Sequence, residues 1–372
     1  MDKPMREHVK ETIDPKVIAS ILMVGIVEFE IFTIPRKIVE VAGRDAWLSV
    51  LLGGVILFAV VFMLIALAKR FPQRNMFEYA FDVWGKPLGW IIIIGTFLYW
   101  AVFLVMALNE FSWINQILFL RNVPVIIPKL LMALGAAALI SYGFAVLARF
   151  SQLMLFFMII PFLGVFILTL PNIYWGNFFP VLENGFIPVL EGIIYFMSIF
   201  QCMTGIILIF YPFFNRSASL LKPALFGMGV IFVLTMLETV GAIGVLGIEN
   251  INESAWPGVD TITVIELPGF PVERFELWLT LPWIIGIFAT WALTLYFLTY
   301  GFTQVFHLTA QRKAIIYMAA VGACFFGYII PNYSYVIMIR DIFSLSSIVF
   351  VFILPALALL ICTLMKKGDS RV

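Results

Sequence analysis

The apolar segment 15–41 carries two carboxylates at its centre, Glu28 and Glu30, and they limit what the chain can fold into. A carboxylate in the middle of a bilayer costs roughly 2.5–3.5 kcal/mol on insertion scales. Two positions on an α-helix span about 200° around the axis. A regular helix therefore cannot turn both side chains toward one polar cavity. Either one faces lipid or the helix breaks. Breaks at membrane depth are tolerated where the backbone lines a cavity. The sequence thus predicts a broken helix at Gly25, Glu28, Phe29 and Glu30.

Composition supplies the membrane. Of 372 residues, 63% are hydrophobic and 12% are charged, and the charges fall between long apolar runs. That pattern predicts an all-α, polytopic membrane protein. Ten spans are expected: 15–41, 46–68, 87–119, 124–142, 147–170, 187–213, 220–246, 274–306, 313–331 and 341–365. With the N-terminus inside, 16 of the 23 Lys and Arg fall on inner segments. The other 7 (23 − 16), Lys129 among them, fall on outer ends and loops. The asymmetry places both termini in the cytoplasm. No small-residue cleavage site follows the first apolar run, which argues against a removed signal peptide. Cys202, Cys324 and Cys362 are scattered in apolar segments and read as small hydrophobes. There is no nucleic-acid patch.

Between the second and third spans, Arg74, Glu78 and Asp82 share one helical face, and Phe77, Ala80, Phe81 and Trp84 the other. This predicts an amphipathic helix on the inner surface. The segment 171–188 reads as an outer loop. The acidic stretch 247–273 reads either as a packed cap over the outer mouth or as a solvated loop.

The sixth span mirrors the first. Its centre reads Phe200-Gln201-Cys202-Met203-Thr204-Gly205. Spans one and six are five apart and cross in opposite directions. Ten helices arranged as a 5+5 inverted repeat, with broken helices 1 and 6, would leave unpaired backbone groups at mid-membrane to bind a small polar solute. The expected layout is a cytoplasmic N-terminus 1–14, a first five-helix repeat 15–170, an outer loop 171–186, a second repeat 187–365 and a cytoplasmic tail 366–372. Pro35 supports the first break, because it frees the Ile31 carbonyl. Gln201 and Thr204 also suit a plainer role, bonding a neighbouring helix.

Other polar residues are weaker signals. Asn109, Glu110 and Glu238 either line the path or pair for packing. Thr290 and Thr294 share a face that suits a sodium ion, although back-bonding to their own helix is more common. His307 reads as interfacial. No nucleophile–base pair, metal-ligand cluster or phosphate loop appears, so no enzyme, cofactor or metal is expected. Gly227-Met228-Gly229 follows no strand and is not a dinucleotide site. The candidate binding residues are Gly25, Glu28, Phe29, Glu30, Phe103, Phe200, Gln201, Thr204, Gly205 and Thr290.

Several stretches together resemble one family. They are Phe32-Thr33-Ile34-Pro35-Arg36 with Asp45-Ala46-Trp47, Phe77-Glu78-Tyr79 with Gly85-Lys86, Phe179-Pro180-Val181-Leu182 with Gly185, and Trp256-Pro257 with Val272-Glu273-Arg274-Phe275-Glu276. In order and spacing they are similar to the spore germination permeases. These are the B subunits of nutrient germinant receptors, within the amino acid–polyamine–organocation superfamily. The resemblance covers nearly the whole chain. It implies a sensor in the spore inner membrane that binds a small nutrient, such as an amino acid or amine, together with A and C subunits. Members usually carry small residues at the first break and often an acid at the sixth-span break. Here the negative charge sits on the first. That points to a ligand with an amino group facing Glu28 or Glu30, or to a proton shared between them. The alternatives are a proton-coupled amino-acid or amine permease acting alone, and a scaffold with a vestigial cavity.

Overall fold

The structure is a computed structural model that describes residues 13–26, 30–119, 122–215, 219–264, 276–330 and 333–368. Glu28 and Phe29 lie outside those residues, and of Glu30 only the backbone is described. Among the described residues the chain is helix and turn, save an isolated bridge between Ile13 and Phe214.

The first expected span is described on either side of residues 27–29, as α1 (Val17–Ile26) and α2 (Glu30–Ala42). All ten residues of α1 are buried, so it is a core helix, apolar on every side. Then come α3 (Ala46–Arg70), α4 (Met76–Leu118), α5 (Ile126–Ser141) and α6 (Phe144–Thr169). The sixth expected span is two helices, α7 (Ile187–Ser198) and α8 (Gln201–Phe210), bent by 47°. The remainder is α9 (Leu221–Glu253), α10 (Pro257–Thr263), α11 (Glu276–Val305), α12 (Arg312–Ile329), α13 (Tyr333–Ile348), a π-helical turn Val349–Ile353 and α14 (Leu354–Leu364).

Among the described residues, seven helical stretches are long and apolar enough to cross a membrane, and an eighth if the bent α7–α8 pair is one span. Two shorter apolar helices, α1 and α5, accompany them. Phe156, Ile160, Met318 and Phe325 present bare apolar surface on α6 and α12. In water such a surface would be a liability; in hydrocarbon it is the ordinary outer face of a bundle. The chain is an integral membrane protein.

The first and sixth expected spans run in opposite directions. The start of α1 and the end of α8 meet, where Ile13 N–H donates to the Phe213 carbonyl (3.0 Å) and Asn215 N–H to the Ile13 carbonyl (2.9 Å). At the opposite end the Ser49 hydroxyl, just past α2, donates to the Val189 carbonyl of α7 (2.9 Å). Thus α1 packs on α8 at one end and α2 on α7 at the other.

The segment 170–186 is pinned over the α2–α3 turn. Asp45, buried in that turn, accepts from Leu182 N–H at 3.0 Å on both oxygens, and Arg44 donates to the Phe179 carbonyl. Replacing Asp45 with Ala removes this charge-assisted bond. The expected loss is roughly 1.5 kcal/mol of stability, to be read as a lower thermal unfolding midpoint in detergent.

The stretch 247–273 is a packed cap as far as it is described. α9 continues beyond a break at Gly247 (φ 74°) to Glu253, and α10 packs on α9 and α2. Arg36 on α2 donates to the Ser254 carbonyl (3.1 Å), and the Ser254 hydroxyl donates to Asp260.

At the Ile13 end, the expected amphipathic helix forms the first turns of α4. Gly85 (φ 73°) breaks it from the span. Asn75 caps it reciprocally with Glu78, and Arg74 pairs with Asp82. Its apolar face turns inward. Phe77 stacks on Phe97 and wedges against Gly301 of α11, where any added Cβ would lie 2.2 Å from the Phe77 ring. Lys367, past α14, donates to the Asp82 carbonyl (2.8 Å), so both described ends of the chain lie at this end of the bundle.

Lys129, expected at an outer end, lies in the first turn of α5 and is buried. Its ammonium donates to Asn109 Oδ1 (2.7 Å) and the Gly327 carbonyl (2.9 Å), and those partners on α4 and α12 offset its desolvation.

Candidate functional site

The site is built where the bent sixth span meets α1, α4, α11 and the π-helical turn. In the first span, α1 is described to Ile26 and α2 from Glu30, so the break expected at Glu28 and Phe29 lies outside the described residues. The Gly25 carbonyl, in the last turn of α1, accepts from the Thr290 hydroxyl of α11 at 2.9 Å. Gly25 has no room for a side chain, since a Cβ would lie 2.2 Å from Leu293 Cδ1. Absence of a Cβ lets α1 and α11 approach closely enough for that bond. One turn on, the Thr294 hydroxyl donates to the Thr290 carbonyl (2.9 Å), the back-bonding alternative, and lies 3.6 Å from Cys202 Sγ.

In the sixth span the break lies earlier than the sequence suggested. α7 ends at Ser198 and α8 starts at Gln201, with Phe200 as the hinge (φ −87°, ψ 22°). Gln201-Cys202-Met203-Thr204-Gly205 is therefore the first turns of a helix, and the break is the two residues before it. The polar side chains do not interrupt the helix; they face outward from it to partners. Tyr99 on α4 donates to Gln201 Oε1 (3.5 Å). Thr204, on the same face one turn later, donates to the Val351 carbonyl (3.2 Å) in the π-helical turn. Gly205 is a contact point rather than a hinge, because a Cβ there would lie 2.6 Å from the Phe297 ring of α11. Phe200 is fully buried and packs edge-on against Phe196.

Gln201 and Thr204 open onto a cavity of about 40 Å³. That is room for roughly three waters, at ~10–15 Å³ each. Tyr99, Trp100 and Thr96 of α4 and Val351 of the π-helical turn form its walls, and Phe77 and Trp84 of the amphipathic helix close its far side. Tyr99 is held rigidly between the Phe343 and Phe350 rings, with centroids at 4.5 and 4.6 Å. Phe103, the aromatic expected here, is one turn farther along α4 and stacks on Phe343 at 5.7 Å.

The predicted residues thus divide. Gln201 and Thr204 line the cavity. Gly25 and Thr290 bond each other beside it, and Gly25 faces Ile206 of α8. Phe103, Phe200 and Gly205 pack around it, and the side chains of Glu28, Phe29 and Glu30 lie outside the described residues. Sequence reasoning missed Tyr99 and the π-helical turn. A tyrosine deep in an apolar span was a usable signal, because its hydroxyl needs a partner. The π-helical turn left none that single-sequence patterning detects.

The chain was compared with known proteins. A family model described as spore germination protein matches residues 12–330. Spore germination protein YndE of Bacillus subtilis (strain 168) is 29% identical over 91% of this chain and 93% of its own length. Spore germination protein KB of the same organism is 28% identical over 72% of each chain, and spore germination protein A2 is 25% identical over 92% and 93%. Among solved structures, MhsT in complex with L-phenylalanine aligns with a TM-score of 0.67 at 13% identity, over 94% of this chain and 88% of that one. Mhp1, a nucleobase-cation-symport-1 family transporter, aligns with a TM-score of 0.65 at 13% identity, over 92% and 76%. At that identity the likeness establishes the fold, which is that of these transporters.

Proposed function

The chain belongs to the spore germination protein family, and from that premise we propose that it is the nutrient-sensing membrane subunit of a spore germinant receptor. It binds a small amino acid or amine at mid-membrane and works with A and C subunits in the spore inner membrane. The observation that carries this reading is the bend of the sixth span, where the first turn of α8 presents Gln201 and Thr204 to a small cavity. Helix ends carry N–H and C=O groups without intrahelical partners, and a solute's charged groups can satisfy them. The reading counts ten spans in two inverted five-helix halves, 15–170 and 187–365, with both termini cytoplasmic.

The cavity suits a sensor. A solute larger than a few waters must part its walls. The wall it meets at Thr204 is bonded to the π-helical turn, so a ligand that takes the Thr204 hydroxyl releases the Val351 carbonyl. π-Helical turns concentrate at functional sites. Occupancy at α8 is thereby passed to α13 and α14. On the first span, Glu28 and Glu30 supply the charge partner for a ligand's amino group.

The test is equilibrium binding of a panel of amino acids and primary amines to the purified chain. Glu28→Gln with Glu30→Gln is expected to lower affinity for the best amine-bearing ligand at least tenfold, about 1.4 kcal/mol. Unchanged affinity in the double variant would remove these carboxylates from the site.

A further inference from the structure

A second cavity lies apart from the bent sixth span, enclosed by α6, α9 and α10, with a volume of about 50 Å³. Glu238 of α9 faces it. Both carboxylate oxygens are shielded from solvent and accept no hydrogen bond. A buried carboxylate without a partner is costly, and such groups in native proteins mark an unseen ligand or a function. The sequence left Glu238 as lining the central path or pairing for packing. It does neither: its cavity shares no residue with the central one.

The remaining lining fixes what could fill the gap. Glu238 is the one titratable group among the described lining residues. Its only polar companions there are Thr169 and Thr261. The Thr169 hydroxyl donates to the Phe166 carbonyl (2.6 Å) and the Thr261 hydroxyl to the Pro257 carbonyl (2.7 Å). With their protons committed, both hydroxyls offer lone pairs alone. The polar side of the cavity is therefore a set of acceptors: one carboxylate and two hydroxyl oxygens. The other walls are apolar and include the rings of Phe162 and Phe166. A hard metal cation needs oxygen ligands on all sides. A primary ammonium brings three N–H donors and no acceptor, and its carbon chain and charge suit aromatic walls.

We propose that this cavity binds a small primary alkylammonium ion, with Glu238 as its charge partner and Thr169 and Thr261 as the remaining acceptors. Acidic residues flank the approach, with Glu249 and Glu253 exposed beyond the break at Gly247, and their field concentrates cations there. The roof is α10, which is tied through Asp260, Ser254 and Arg36 to α2, the second half of the first expected span. Occupancy under α10 therefore bears on the same helix that carries Glu30. The site stands whether or not the central cavity binds a nutrient.

The experiment measures binding of radiolabelled ethylammonium to the purified full chain in detergent. One saturable site is expected, with Glu238→Gln weakening it at least tenfold. Gly241→Leu is the second variant. A Cβ at Gly241 meets Phe166 and Thr169 at an ordinary 3.8 Å, so the added side chain is accommodated by filling the cavity while the carboxylate is kept. It too should lose at least tenfold. Tetramethylammonium, which has no N–H donor, should compete at least tenfold more weakly than methylammonium. Absence of saturable binding by the unaltered chain overturns the proposal. So does unchanged affinity in both variants, or loss of binding on Gln201→Leu, which would place the cation in the central cavity.

Discussion

The chain carrying Gln201→Leu and Thr204→Val together is expected to lose at least tenfold in affinity for its nutrient ligand. Both substitutions keep side-chain volume close to native and remove polar atoms, so the packing of α8 is largely preserved. What changes is the cavity wall, which becomes apolar at the two points where α8 presents hydrogen-bonding groups to it. A ligand's polar group buried there without a partner costs about 1–3 kcal/mol on mutational scales. Two such contacts easily exceed a tenfold effect. The stability cost should be smaller, about 1 kcal/mol, from the Val351 carbonyl that Thr204 no longer reaches. Isothermal titration and thermal unfolding on the same preparations separate the two effects. Thr204→Ser keeps a hydroxyl and should retain most of the affinity. Native affinity in the double variant would mean that the ligand does not touch α8.

A break in the sixth span was legible because it has a local cause, whereas the one expected at Glu28 and Glu30 falls where Val27, Glu28 and Phe29 lie outside the described residues. The sixth-span break was found by its polar cluster and displaced by a few residues. Polarity marks where a side chain needs a partner, not where the backbone bends. Gly205 shows the same confusion: a glycine beside a polar run suggests a hinge, and here it admits Phe297 of α11. Partners distant in sequence were not legible. Nothing local says that Tyr99 meets Gln201 or that Lys129 finds Asn109 and Gly327. Phe103 stacks on Phe343, one turn along α4 from the cavity-lining Tyr99. The stretch 247–273 hid α10 because a seven-residue helix is too short to show a periodic pattern.

The largest loss of stability is expected from Gly227→Ala, a one-carbon change. A Cβ at Gly227 of α9 would lie 2.9 Å from both the Cα and the carbonyl oxygen of Ala19 on α1. These are backbone atoms and cannot rotate away, and α1 is buried along its whole length, so it has nowhere to retreat. Overpacking of this kind costs about 3 kcal/mol. Two residues on, Gly229 offers the opposite case. A Cβ there meets the Phe58 ring at 3.8 Å, ordinary contact, so Gly229→Ala gains roughly 0.5–1 kcal/mol from the smaller entropy loss on helix formation. The same substitution on one helix, two positions apart, should therefore shift the thermal midpoint in opposite directions. The effect extends to function. α1 carries Gly25, whose carbonyl is fixed by Thr290 of α11, and α1 packs on α8, so a displaced α1 disturbs the helix that presents Gln201 and Thr204 to the cavity. Nutrient affinity is expected to fall in Gly227→Ala and to hold in Gly229→Ala. If both variants were equally stable, α1 and α9 would not be in backbone contact, and the placement of α1 in the bundle would have to be redrawn.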